Sequence, residues 1–338
     1  MRYLVTGATG FLGTHLVRAL ERSGHAIVPF SRKTGGDVLD ARGVKEAADG
    51  CDGAFHCAGR VSRDPADAEE LYRVHVEGTK TVLDACRTAG VKRVVIASSS
   101  GTVAVSESED HVGTEDDAAP LGIISRWPYY RAKLFAERAA LEQNGRGLEV
   151  VSINPSLLLG PGDIGGSSTE DIRLFLEGGV PAVPAGGLSF VDARDAAEAM
   201  SLAMERGRPG ERYLIGACNL TVGDFFGRLG RISGVRAPWL PMPHSREMVR
   251  AGAVLLGRAA SALGLRTTID PVSLEMAQYF WYVDSSKATA ELGWTTRDPS
   301  TTLYDTVEDL RARGVVWPRD AKRTGGTARA TGWRPEQS

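Results

Sequence analysis

Tyr129 and Lys133 stand four residues apart, a spacing that could do chemistry. On a helix the two share a face. A phenol near its reference pKa of ~10 shuttles protons poorly at neutral pH. An ammonium beside it favours the phenolate and brings it toward useful acidity. Tyr130, three residues from Lys133, is the rival for that role. By itself such a pair is more often a packed aromatic and a surface charge. Upstream, Ser98-Ser99-Ser100-Gly101-Thr102 follows the apolar run Arg93 to Ala97. A hydroxyl at the carboxyl end of a central strand can hydrogen-bond a substrate oxygen. A polar strand-to-loop turn is the plainer reading.

A third group opens the chain. In Thr6-Gly7-Ala8-Thr9-Gly10-Phe11-Leu12-Gly13, glycines fall at 7, 10 and 13. Gly7 permits a tight turn, Gly10 lets the backbone approach a pyrophosphate, and Gly13 lets the following helix lie close to the sheet. The N–H groups and partial positive charge of that helix start suit phosphates. The spacing alone is a weak signal. Its place after the first strand, ahead of an amphipathic helix, makes it a dinucleotide site. The end of the second strand reads Ser31-Arg32-Lys33, with no carboxylate until Asp37. An acidic residue there suits NAD(H), whereas cations suit a 2′-phosphate, so NADP(H) is favoured over NAD(H). A solvated basic turn is the alternative.

The elements that must hold these groups alternate in type. Apolar runs at Tyr3 to Val5, Ala26 to Phe30, Gly53 to His56, Arg93 to Ala97 and Glu149 to Asn154 read as strands. Between them, helical patterns start at Leu12 and stop near Gly24, then cover Ala41 to Asp49, Leu71 to Gly90 and Tyr129 to Asn144. Such alternation implies right-handed βαβ units and a mainly parallel sheet. From about Pro161 the regularity breaks and glycine and proline become frequent.

The 338 residues carry a net charge of −2, 42% hydrophobic and 24% charged side chains, an ordinary globular balance. It offers no electrostatic footprint for nucleic acid. Cys51, Cys57, Cys86 and Cys218 lack metal-ligand spacing and read as free thiols, with no metal site. With the first strand opening at Tyr3, a signal peptide is not expected. Ala251 to Leu265 is interrupted by Arg258 and is shorter than the ~20 residues of a membrane span. It reads as a helix packed on the protein, and a cytoplasmic enzyme is the default expectation.

Taken in order, these motifs resemble the extended short-chain dehydrogenases/reductases of the NAD-dependent epimerase/dehydratase family. Gly36-Asp37-Val38 resembles the adenine-contacting element. His56-Cys57-Ala58-Gly59 resembles the loop after strand 4 that packs on the cofactor. Asn154-Pro155-Ser156 resembles the turn beside the nicotinamide. Phe190 to Asp195 and Val283 to Trp294 resemble later landmarks, so the likeness spans about residues 1–315. It implies an α/β fold: a Rossmann-type doubly wound, mainly parallel sheet with a smaller C-terminal substrate-binding lobe. Residues 1–160 would form the cofactor core, joined by strands from 185–216. Residues 161–315 would form mainly the lobe, and 319–338 a disordered tail.

The same resemblance implies hydride transfer at a carbonyl carbon. Tyr129 would donate the proton, Lys133 would tune it and hold the nicotinamide ribose, and a serine would polarise the substrate oxygen. A reductase-like pattern points to Ser99 and an epimerase-like one to Ser100. The cofactor would lie on Gly7, Thr9, Gly10, Phe11, Leu12, Gly13, Arg32, Lys33, Asp37, Val38, Cys57, Ala58, Gly59, Tyr129, Lys133, Pro155 and Ser156. Two departures stand out. His75 occupies a position usually held by asparagine, and reads as a packed histidine or a hydrogen-bonding one. The stretch between strand 2 and Gly36 is so short that strand 3 must be a stub.

Ser-Ser-Gly-Thr-Val resembles the dihydroflavonol 4-reductase and 3β-hydroxysteroid dehydrogenase branch. The segment from Asn154 to Gly216 also resembles hopanoid-associated sugar epimerases. The Asp-Glu pair of sugar-nucleotide 4,6-dehydratases is replaced by Gly101-Thr102, which excludes that chemistry. The leading expectation is an NADPH-dependent reductase of a ketone or aldehyde on a bulky, partly apolar small molecule. A nucleotide-sugar epimerase is the alternative, and a catalytically inactive cofactor sensor the third reading. Arg126, Trp127, Trp281, Tyr282, Met242, Met248 and the loop Gly160 to Ser168 would line the substrate pocket. Arg194 would bind an anionic substrate group or a neighbouring carboxylate. The family's homodimer would place Phe135, Leu83 and Val82 at an interface or in the core.

Overall fold

The computed structural model describes residues 1–243, 252 and 270–316. Its centre is a six-stranded parallel sheet in the order β2-β1-β3-β4-β5-β8. The strands are β1 Arg2–Thr6, β2 Ala26–Phe30, β3 Gly53–His56, β4 Arg93–Ala97, β5 Glu149–Pro155 and β8 Arg212–Ile215. The order reverses direction between β1 and β3, and the crevice above such a switch point is where open α/β sheets bind ligands.

Both faces of the sheet are covered, which is why its strands are apolar on both sides. On one face lie α1 (Phe11–Arg22) and α8 (Ala193–Arg206). Leu12, Leu16 and Leu20 recur at helical spacing and pack with Met200 against Val5, Phe55, Val95 and Ile153. On the other face lie α2 (Ala41–Ala48) and α4 (Gly78–Thr88). Val44, Val82, Leu83 and Cys86 fill the space over Leu4, Ala54, Val94 and Val150.

A second, smaller sheet runs β10-β7-β6, with β9 antiparallel to β7. It consists of β6 Leu157–Leu159, β7 Gly187–Asp192, β9 Cys218–Thr221 and β10 Phe280–Trp281. Its core holds Phe175, Phe190, Phe225, Phe226, Leu303 and Val307. These come from α7 (Glu170–Leu176), α9 (Val222–Ser233), β7 and the helix Pro299–Ala312.

The structure corrects two expectations. No strand forms between β2 and Gly36. Ser31 and Thr34 instead close a reciprocal capping box around a single 3₁₀ turn, Arg32–Thr34, ended by Gly35 at φ 85°. Those local bonds satisfy the backbone groups a strand would have paired. The loop at Cys57 therefore follows the third strand rather than a fourth. The long helix from Leu71 forms without a break, but not as α-helix throughout. α3 (Ala68–Tyr72) passes through a π turn at Arg73–Glu77 before α4 begins.

Met248, the tail 319–338 and, apart from Gly252, the stretch Ala251 to Leu265 lie outside the described residues. Among the described residues no helix is long and apolar enough to cross a membrane.

Candidate active site

The glycine loop is built for close approach. Gly7 has φ +69°, and a Cβ on it would lie 2.6 Å from Ala58 N. A Cβ on Gly13 would lie 2.1 Å from Gly7 O. Neither position tolerates a side chain, so the turn and the start of α1 press against the loop after β3. Gly10 precedes α1 as its cap residue and offers no side-chain cap, and Gly10 to Gly13 line one large cavity. Uncapped N–H groups at a helix start suit a pyrophosphate, so this cradle fits a dinucleotide.

At the neighbouring strand end, Thr9 Oγ1 donates to Ser31 Oγ at 3.1 Å. Arg32 and Lys33 are exposed on the 3₁₀ turn. Asp37 accepts from Leu39 N at 2.9 Å, which ties it into its own turn. Val38 is buried against Gly78, at the start of α4. Cys57, Gly59, Pro155 and Ser156 also line the cavity, while Ala58 packs over Gly7.

Trp127, extended, precedes Pro128 at the first position of α6 (Pro128–Leu141). A proline there is pre-set for a helix start. This brings Tyr129, Tyr130 and Lys133 onto the first turns, all lining the cavity. Tyr129 meets His75 edge-on at 5.6 Å between centroids. His75 is presented by the π turn, and its Nε2 hydrogen-bonds Arg60 O at 2.8 Å. Tyr130 lies against Trp281 at 4.8 Å and closes on Gly101, where a Cβ would come within 2.3 Å of its ring.

Lys133 Nζ donates to Ala97 O at 2.8 Å. Burial draws its pKa down to about 8, opposed by Cys57 and Glu137. Burial also lifts the Tyr129 phenol above its ordinary value and Tyr130 to about 12. The proximity of a lysine therefore does not acidify Tyr129 in this arrangement; desolvation dominates. The phenol is held protonated at neutral pH, the form a proton donor needs.

Ser98, Ser99 and Ser100 all reach the cavity. Ser99 Oγ accepts from Gly101 N at 3.3 Å, and Ser100 is 4% exposed. Ser98 donates to Glu137. Sequence reasoning passed over Glu137, which is buried four residues beyond Lys133. Its place on the Tyr129–Lys133 face was readable from helical spacing; its burial was not. His56 was missed as a polar group too. Its Nδ1 meets Thr6 Oγ1 at 2.7 Å and its Nε2 meets Thr79 Oγ1 at 3.0 Å. Burial, with Lys133 nearby, holds His56 and His75 at about 3, so both are neutral.

The cavity has a volume of about 730 Å³. Beyond the tyrosines its walls are largely apolar, with Leu174, Val180, Phe225, Phe226, Met242 and Met276 among them. Trp127 and Trp281 line it as expected. Tyr282 does not, and neither does either of the two arginines expected there, Arg126 and Arg194. Arg126 pairs with Glu275 at 2.7 Å. Arg194 pairs with Asp192 and Asp305 at 2.7 and 2.6 Å, the carboxylate alternative. Val82 and Leu83 belong to the core, whereas Phe135 is exposed.

Two arginines that do face the cavity were not anticipated. Arg60 pairs with Asp67 and Glu70. Arg63 pairs with Asp171 at 3.0 Å and donates to Ser273 at 2.7 Å. Arg63 and Asp171 are 108 residues apart, and no local pattern could have joined them.

Residues 3–216 match the model of the NAD dependent epimerase/dehydratase family. A Synechocystis sp. protein provisionally named a dihydroflavonol 4-reductase is 30% identical, over 93% of this chain and 96% of its own. Sterol demethylase protein B of Methylococcus capsulatus is 31% identical, over 94% and 100%. Among solved structures, MoeE5 in complex with UDP-glucuronic acid and NAD aligns with a TM-score of 0.70. It is 27% identical, covering 93% of this chain and 100% of MoeE5.

Proposed function

We propose that this chain, which belongs to the NAD dependent epimerase/dehydratase family, reduces the ketone or aldehyde of a neutral, bulky and largely apolar molecule with NADPH. The observation that carries this reading is the cavity running from the glycine loop past Tyr129 to apolar walls. Among the described residues, Arg60 and Arg63 face it already paired with carboxylates. A nucleotide sugar brings a pyrophosphate that must be met by cations or N–H groups. A neutral substrate needs neither.

A nicotinamide bound on the glycine loop would supply the hydride. Tyr129, protonated at neutral pH, would give its proton to the substrate oxygen as negative charge develops there. Ser99 or Ser100 would hydrogen-bond the same oxygen. Lys133, anchored on Ala97 O, would hold the cofactor ribose and carry a positive charge below pH ~8.

The exposed Arg32 and Lys33 support NADP(H) over NAD(H). We extend the reading to a cytoplasmic homodimer, for which Phe135 on α6 and Tyr72 on α3, 40% and 45% exposed, offer an apolar face. The second reading, a nucleotide-sugar epimerase, draws support from the likeness to MoeE5, whose structure holds the nucleotide sugar UDP-glucuronic acid with NAD. Purified protein with NADPH and a panel of neutral cyclic and aryl ketones tests the choice. Net loss of NADPH is expected. No consumption, alongside interconversion of nucleotide sugars, would overturn it.

A further inference from the structure

Glu137 is 1% exposed, and a lone buried carboxylate is costly. This one is heavily compensated. Oε2 accepts from Ser98 Oγ and from Asn154 Nδ2, the latter at 2.6 Å. Thr102 Oγ1 lies 3.1 Å from the same oxygen and 2.9 Å from Ser99 O, and donates to one of them. Oε1 makes no hydrogen bond among the described residues, but Arg212 Nε on β8 lies 3.2 Å away and pairs with it by charge. Charge-assisted bonds of this kind are about twice as strong as neutral ones.

The partners define what is being held. Ser98, Ser99 and Thr102 are the serine turn itself. Asn154 is the residue before Pro155-Ser156, and its Nδ2 also lies 3.2 Å from Ser99 O. One helical turn before Glu137, Lys133 holds Ala97 O, immediately ahead of the turn. The face Tyr129–Lys133–Glu137 thus grips the strand end at Ala97 and the turn behind it. A chamber of about 10 Å³, the scale of one water, is shared by Lys133, Glu137, His56, His75 and Ser98.

We propose that Glu137 is a positioning residue: its buried carboxylate locks the serine turn, the Tyr129–Lys133 helix and the end of β5 into one geometry. The inference rests on the enzymatic reading above, whether the turnover is reduction or epimerisation. An apolar side chain would fill the same space without fixing the turn. A gap of ~1 Å in such a site costs about a hundredfold in rate.

The groups facing Lys133 are Glu137 and Tyr129 from its own helix, His56 from β3, Cys57 after it, and His75 from the π turn. The two histidines are neutral. Of these groups, Glu137 is the only carboxyl, and with Cys57 it opposes the burial that lowers Lys133.

The test uses the full chain carrying Glu137→Gln, Glu137→Asp and Ser98→Ala, read on whichever reaction the wild type performs. In Glu137→Gln, an amide must face donors on Ser98 and Asn154. We expect kcat to fall about a hundredfold, with the NADPH dissociation constant within about threefold of wild type. The alkaline limb of kcat should move down by about half a pH unit or more, as Lys133 loses its anionic neighbour. Glu137→Asp, which keeps the charge, should retain the wild-type limb and recover part of kcat. Should Glu137→Gln fail to fold, Ser98→Ala carries the test, with an expected fall of about tenfold in kcat. A folded Glu137→Gln with wild-type kcat and pH profile overturns the proposal. So does a variant that only loses thermal stability. Epimerisation by the wild type would overturn the reductase reading alone and leave these variants interpretable on that reaction.

Discussion

Lys133 Nζ holds the carbonyl of Ala97 at 2.8 Å, and so pins the helix bearing Tyr129 to the strand end that leads into the serine turn. The lysine is therefore structural and electrostatic at once. Replacing it with methionine keeps much of the volume and removes the bond. We expect at least a hundredfold loss in kcat, of the order general acid–base groups contribute, and weaker NADPH binding. Steady-state kinetics with fluorescence titration of the cofactor would check both.

Tyr129→Phe should lower kcat by about a thousandfold with cofactor affinity intact. Tyr130→Phe removes a hydroxyl from a ring packed on Trp281 and Gly101, and should stay within about tenfold of wild type. Equal losses from the two variants would remove the distinction drawn between them.

Arg32→Asp places a carboxylate beside the expected 2′-phosphate. The wild type should prefer NADP(H). The variant should lose about tenfold or more in NADP(H) affinity while NAD(H) binding holds or improves. A wild type that binds NAD(H) more tightly would contradict the role given to Arg32 and Lys33.

Asp171 neutralises Arg63 at the cavity wall. Asp171→Asn should free the guanidinium and make turnover sensitive to anionic ligands such as nucleoside diphosphates. Competitive inhibition should tighten by about tenfold or more over wild type. Strong inhibition of the wild type by the same ligands would count against a neutral substrate.

Burial holds His56 and His75 at about 3, well below the ordinary histidine value of 6.5, so both are neutral in the fold. In the unfolded chain they bind protons at higher pH than in the native one. Their contribution is therefore complete above pH ~6.5 and is lost as the pH falls toward about 3. Thermal melts from neutral pH downward should show Tm dropping across that window. His75→Asn should make the drop shallower, and an unchanged slope would argue against a buried neutral His75.

Much of this was legible in the sequence because it is local. Gly7 and Gly13 announce a turn with no room for a side chain, and the leucines of α1 announce its buried face. Tyr129, Lys133 and the serine turn could be named from spacing. The stub strand was misjudged because the Ser31–Thr34 capping box competes with extended pairing, a contest decided by a few side-chain bonds. Arg194 was ambiguous because its partner Asp305 lies 111 residues away. Arg63 with Asp171, and Glu137 with Asn154, were invisible for the same reason: the fold, not the spacing, brings them together.

The most direct test of the central claim follows the hydride. NADPH deuterated at its transferable position should deliver one deuterium to the carbinol carbon of the product, with matching formation of NADP. Deuterium that stays with the protein-bound cofactor, or a product formed with no net oxidation of NADPH, would contradict the reductase account.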